Sequence, residues 1–189
     1  MKITTLSFLT ALAASAILSS SALAATTPPP ASCCPAMKTC PAMTTTQFAT
    51  TVATVDMLEI KLGQVAQTNA SFPAVKKFGA YMVKSHTAIN ADLAKVAASE
   101  KIALPTKLDA KHAAILKKLS ALKGTAFDKA YIPAMVAGHT KVLAMMKAYC
   151  TTCKDPAFCK FAKKTTPIIA AHLKAAQKVQ AEMTKAGLL

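Results

Sequence analysis

From Phe48 to Met183 the apolar residues of this chain recur three and four positions apart in five successive segments, a spacing that an α-helix lays along one face. The residue usage supports the same reading: 53% of the 189 residues are hydrophobic, only 5% are aromatic, and there are five glycines and no tryptophan. Such a composition favours helix over sheet and excludes an all-β fold. The length leaves room for one domain.

The first stripe runs Phe48, Val52, Val55, Glu59, Leu62 and Ala66. Ser71 as cap and Pro73 in the first turn open a second helix with Val75, Phe78, Met82, His86, Ile89, Leu93 and Val96 inward. A third, shorter one carries Leu108, Ile115, Leu119 and Leu122 and stops at Gly124, a residue suited to a left-handed cap. Thr125 with Asp128 reads as a capping box for a fourth helix, whose stripe includes Tyr131, Met135, His139, Val142, Met146 and Tyr149. Asp155-Pro156 begins the last, with Phe158, Phe161, Thr165, Ile168, His172, Ala176, Val179 and Met183 inward and a kink expected at Pro167.

The links between helices one and two, and between four and five, are short enough to require antiparallel neighbours. The third segment, roughly 18 residues rising ~26 Å, is long enough to return the chain along the bundle. The expected fold over residues 48–187 is therefore all-α: a ferritin-like up-down-down-up four-helix bundle with a shorter crossover helix.

Each long stripe is broken by one ionisable residue near mid-helix: Glu59, His86, His139 and His172. A lone histidine on an apolar stripe is usually a hydrogen-bonded core residue. Four such residues on four helices form a candidate metal site, because imidazole and carboxylate suit zinc, iron(II) or copper(II) and the ion offsets the cost of burying the acid. Helical rise puts Glu59 and His86 at similar depth and matches His139 to His172 less closely. His112 reads as a face residue of the crossover helix.

Residues 1–24 have the pattern of a secretory signal, with Lys2, an apolar run and the small-residue sequence Ala22-Leu23-Ala24. Residues 25–47 contain five prolines, three cysteines and six threonines without apolar periodicity, and are expected to form an extended arm. Within the arm Cys34-Pro35-Ala36-Met37 recurs as Cys40-Pro41-Ala42-Met43. Export implies a soluble periplasmic or secreted product, with no transmembrane span in the mature form. It also places Cys33, Cys34, Cys40, Cys150, Cys153 and Cys159 where disulfides form, and the topology brings arm and loop cysteines to one end of the bundle. The same cysteines with Met37, Met43 and Met145 form a competing soft-metal set for copper(I) or zinc.

All 23 basic residues are lysines, set against eight acids for a net charge of +15. Without arginine forks this charge does not point to nucleic acid. Acidic envelope polymers or lipid headgroups are the partners it would suit.

The run Glu59-Ile60-Lys61-Leu62-Gly63, then Val75 to Phe78, Met82-Val83 with His86, Leu104-Pro105, Phe127-Asp128 with Tyr131, Met135-Val136 with His139, and Pro167 with His172-Leu173 resembles a widespread family of secreted bacterial proteins. That family is known as a domain of unknown function, is often labelled "predicted outer membrane protein", and has a ferritin-like fold. The resemblance spans residues 48–179 and implies fold and envelope location, with no activity. The family often has Asp directly before each mid-helix histidine, whereas this chain has Ser85 and Gly138, so any supporting carboxylate from those positions is missing. Nor does the chain have the paired Glu-x-x-His motifs of di-iron bundles, which disfavours ferroxidase or oxygenase chemistry.

The leading functional reading is a non-enzymatic envelope protein whose bundle core holds a metal ion. A metal-dependent enzyme with Glu59 as base competes with it, and so does a lysine-rich surface-associated protein. Serine or cysteine hydrolase chemistry has little support, because Ser85 and His86, adjacent on a helix, point different ways. No glycine-rich phosphate loop is present.

Overall fold

The structure, a computed structural model, describes residues 42–189. The signal-like segment, most of the arm and Cys33, Cys34, Cys40 and Met37 lie outside the described residues. The described residues form a helical bundle of α1 (Thr45–Asn69), α2 (Pro73–Ser99), α3 (Ala110–Ser120), α4 (Gly124–Thr152) and α5 (Pro156–Lys185), with no strand among them. No helix among these residues is long and apolar enough to cross a membrane.

The start of α1 corrects the expected boundary of the arm. Thr44 and Gln47 form a reciprocal capping box, the Thr44 side chain accepting from the Gln47 amide and the Gln47 side chain from the Thr44 amide, so Thr45–Gln47 is helical. Asp155 caps α5 as expected, accepting from the Phe158 amide at 2.9 Å. The other two expected caps are not formed. Helix α2 starts behind Phe72 and α4 behind Lys123, neither with a side-chain cap of its own. Asp128 instead reaches across the bundle, and its Oδ2 accepts from Ser71 N, Ser71 Oγ and Phe72 N at 3.2, 2.6 and 2.9 Å. A buried carboxylate thus takes up donors just ahead of α2, a use that the local pattern Thr125-x-x-Asp128 does not reveal.

Helix α3 is 11 residues long, shorter than the expected crossover, because Asp109 caps it by accepting from the His112 amide at 2.8 Å. Its far end is tied to α1, where Asn69 Nδ2 donates to the carbonyls of Ser120 and Leu122. Gly124 has φ +59°, the left-handed value expected there, although it lies at the start of α4 rather than at the end of α3.

Side-chain pairs fix the directions of the long helices. Asp56 meets His86 and Gly63 meets Gly79, so α1 and α2 are antiparallel. Phe78 packs on Tyr131 and His86 on His139, so α2 and α4 run the same way. Ser85 with His172 and Asp92 with Lys164 set α5 against α2. Phe48 stacks on Tyr149 at 3.8 Å and meets Phe158 and Phe161 edge-on, which brings the start of α1 to the α4–α5 turn.

The apolar core is divided into two blocks. One is built around Leu62, Phe78, Met82, Tyr131 and Met183, the other around Phe48, Leu93, Tyr149, Phe158 and Ile169. In α5 the buried residue is Ile169 and Ile168 is half-buried, one position on from the expected stripe. At the α4–α5 turn Cys153 is bonded to Cys159, a local bridge rather than one between arm and loop, while Cys150 lies against Thr166. Met145 packs against the second apolar block, and the bonded pair is not available as thiolate ligands.

Candidate metal centre

The boundary between the two apolar blocks is polar. Along α2, Met82 belongs to one block and Ile89 to the other, with His86 between them. His139 lies in the same way between Met135 and Met146, and His172 between Ala176 and Ile169. All three rings are buried, at 1%, 2% and 0% exposure, and are cut off from bulk solvent. Their centroids are 4.8 to 5.7 Å apart, and one nitrogen from each ring lies within 4.8 Å of the others. His139 and His172 meet because α4 continues to Thr152 rather than Tyr149, which brings the two residues closer in depth than the sequence suggested.

Each ring is held by one nitrogen and leaves the other unpartnered. His86 Nδ1 donates to Asp56 Oδ1 at 2.7 Å and His139 Nδ1 to the Met135 carbonyl at 2.9 Å, while His172 Nε2 and the Ser85 hydroxyl share a hydrogen bond of 2.7 Å. The carboxylate and carbonyl partners set the tautomers of His86 and His139 and leave a lone pair on Nε2 of each; these two nitrogens and His172 Nδ1 are all buried and without a hydrogen bond. Burial holds the pKa of His172 down to about 3, with the charges of His86 and His139 adding to the effect. Burial also lowers His139, against the opposing charge of Glu59. Neutral imidazole is the form that ligates a metal.

Glu59, the fourth residue expected at the site, is buried at 5% exposure but does not join the three-histidine cluster. Its Oε2 has no hydrogen-bond partner, and its charge acts on His139, Asp56 and Tyr131. Tyr131, whose hydroxyl is also unpartnered, is raised well above its usual range by burial first and then by Glu59.

Asp56 is the candidate-site residue that the sequence reading does not pick out. The supporting carboxylate absent at positions 85 and 138 comes from α1 instead, where Asp56 is 1% exposed. Its carboxyl is raised above the usual range by burial, with the His86 hydrogen bond pulling the other way. The expected stripe put Val55 inward, whereas the buried sequence is Val52, Asp56, Glu59. The signal was an acid one turn before another acid on the same face. His112 hydrogen-bonds to Asp109 on α3, apart from the cluster.

Gly63 and Gly138 have different uses. A Cβ on Gly63 would come within 2.6 Å of the Gly79 carbonyl oxygen, so this glycine lets α1 and α2 pack closely. At Gly138 nothing lies within 4 Å of an added Cβ, and the residue borders a groove between α1, α3 and α4 that Glu59 also lines.

Residues 30–179, well over half of the chain, match a family described as "Domain of unknown function (DUF4142)". No curated protein and no solved structure matches the chain.

Proposed function

We propose that this chain, which belongs to the DUF4142 family of unknown function, is an exported protein that holds one transition-metal ion on His86, His139 and His172 at the centre of a ferritin-like bundle. The observation that carries this reading is the meeting of three buried rings that bring one nitrogen each within 4.8 Å of the others, while each ring also has one nitrogen without a hydrogen bond. Unpartnered buried polar atoms are costly, and one ligand shared by the three neighbouring rings would offset that cost.

The donor set suits zinc, iron(II) or copper(II). Metal–nitrogen bonds of about 2.1 Å put tetrahedral ligands roughly 3.4 Å apart, so the rings must close in from their present spacing. Two buried acids, Asp56 and Glu59, supply the charge that balances a dication. The Asp56–His86 pair has the carboxylate–histidine arrangement that orients metal ligands and raises their basicity. When bound, the ion supplies Lewis acidity and a link between the three helices that hold its histidines, α2, α4 and α5. The metal-dependent enzyme reading draws on Glu59, whose carboxylate borders the groove. Residues 1–24 act as the export signal in this reading.

Elemental analysis of protein isolated without chelator is expected to find about one zinc, iron or copper per chain. His86→Ala and His172→Ala are each expected to lose the metal, together with the rise in melting temperature that it confers. Metal content at background level, with a melting temperature unchanged by added zinc, copper or iron, would exclude the site. A mature mass beginning at Ala25 tests export separately.

A further inference from the structure

The groove between α1, α3 and α4 has a volume of about 680 Å³, within the range of small-molecule sites, roughly 300 to 1,000 Å³. Its walls are apolar: Leu58 and Leu62 from α1, Ile115 and Leu119 from α3, and Met135 from α4. Helix α3 rests on the bundle without sinking into it. Leu119 is its one buried residue, while Ile115 and Leu116 remain half-covered. The open space at Gly138 extends the groove along α4.

The charges are distributed unevenly. Lys111, Lys118 and Lys141 line the groove and are exposed, whereas the one acid that lines it, Glu59, is buried. An elongated apolar ligand with an anionic end would therefore place that end among the lysines, away from Glu59. We propose that this groove binds a free long-chain carboxylate, with its alkyl chain along Leu58, Leu62, Ile115 and Leu119 and its carboxylate at the rim, in the positive field of Lys111, Lys118 and Lys141. A groove walled by three helices fits one chain, whereas a bilayer surface calls for an exposed apolar or basic face. None of the three clustered histidines lines this groove, which shares only Glu59 with their surroundings and does not depend on a bound metal.

The test is calorimetric titration of the full chain with dodecanoate below its micelle concentration. Saturable binding of one molecule per chain is expected, weakened about tenfold in the K111Q/K118Q/K141Q variant, since three exposed charges together are worth roughly that factor. Ala134→Phe, which projects a ring into the groove, is expected to abolish binding. The lysine variant changes only exposed residues, and circular dichroism and melting temperature should match the parent. No saturable binding, equal affinity in the lysine variant, or association only with phosphatidylglycerol vesicles and not with free dodecanoate would each overturn the proposal.

Discussion

The Asp56 carboxylate on α1 accepts a 2.7 Å hydrogen bond from His86 Nδ1 on α2, and both residues are about 1% exposed. This bond occupies Nδ1 of His86, whose Nε2 has no partner and whose ring lies 5.7 Å from that of His139 and 4.8 Å from that of His172. It also makes Asp56 the residue whose loss separates orientation of the site from ligation. Asp56→Ala leaves His86 without its partner and is expected to cost about 3 kcal/mol in denaturant unfolding of the metal-free protein. Asp56→Asn retains the volume and is expected to cost less in stability while lowering zinc affinity about 10- to 100-fold. Unchanged zinc affinity in Asp56→Asn would show that the carboxylate does not support the site.

The buried histidines make the stability of the metal-free protein depend on pH. The pKa of His172 is about 3 in the folded protein against an ordinary 6.5, and that of His139 is also lowered. Between these two values the unfolded chain binds a proton that folded His172 refuses, so stability falls as pH drops from 6.5 toward 3, and above 6.5 the effect disappears. Asp56, raised by burial, acts in the opposite direction above 3.8, because there the folded state keeps a proton that the unfolded state releases. Two histidines against one carboxyl should leave a net loss. Melting temperature is expected to fall from pH 7 to pH 4, and His172→Gln is expected to flatten that slope. An equally steep slope in His172→Gln would assign the effect elsewhere.

The glycines give a pair of opposite expectations. Gly63→Ala places a methyl group 2.6 Å from the Gly79 carbonyl oxygen and 2.8 Å from Val83, so α1 and α2 must separate, at a cost of about 2 to 3 kcal/mol. Gly138→Ala meets nothing within 4 Å and should gain up to about 1 kcal/mol from helix propensity. Thermal denaturation of both variants checks the sign of each effect.

Asp128 is fully buried and receives three hydrogen bonds from Ser71 and Phe72. Asp128→Ala strands two backbone amides at the start of α2 and is expected to cost about 2 to 3 kcal/mol, with hydrogen exchange accelerating first in the opening turn of α2. Ser71→Ala removes only one of the three bonds and should cost about 1 kcal/mol.

Much of the architecture was legible because it rests on local periodicity. The stripes through Phe48, Leu62, Phe78, Met82, Tyr131, Met135, Phe158 and Met183 identify the buried faces of four helices, and those residues are buried. Mid-stripe His86, His139 and His172 stood out because an ionisable residue on an apolar face must find a partner or a ligand. The errors are of another kind. Ser71 and Asp128 were each assigned a local capping role, whereas they bond to each other across 57 positions of sequence. Asp56 was passed over because Val55 fits an apolar stripe equally well, and a one-residue rotation of a helix leaves most of its pattern intact.

The sequence by itself determined the helices, their order and the residues too polar for the faces they occupy, because these follow from spacings within a single turn. Only the tertiary structure decided that Asp56 supports His86, that Ser85 holds His172, that Cys153 joins Cys159, and that Glu59 faces a groove beside the ring cluster rather than joining it. Those contacts depend on the rotation and axial offset of one helix against another, which are set by packing between surfaces distant in the chain.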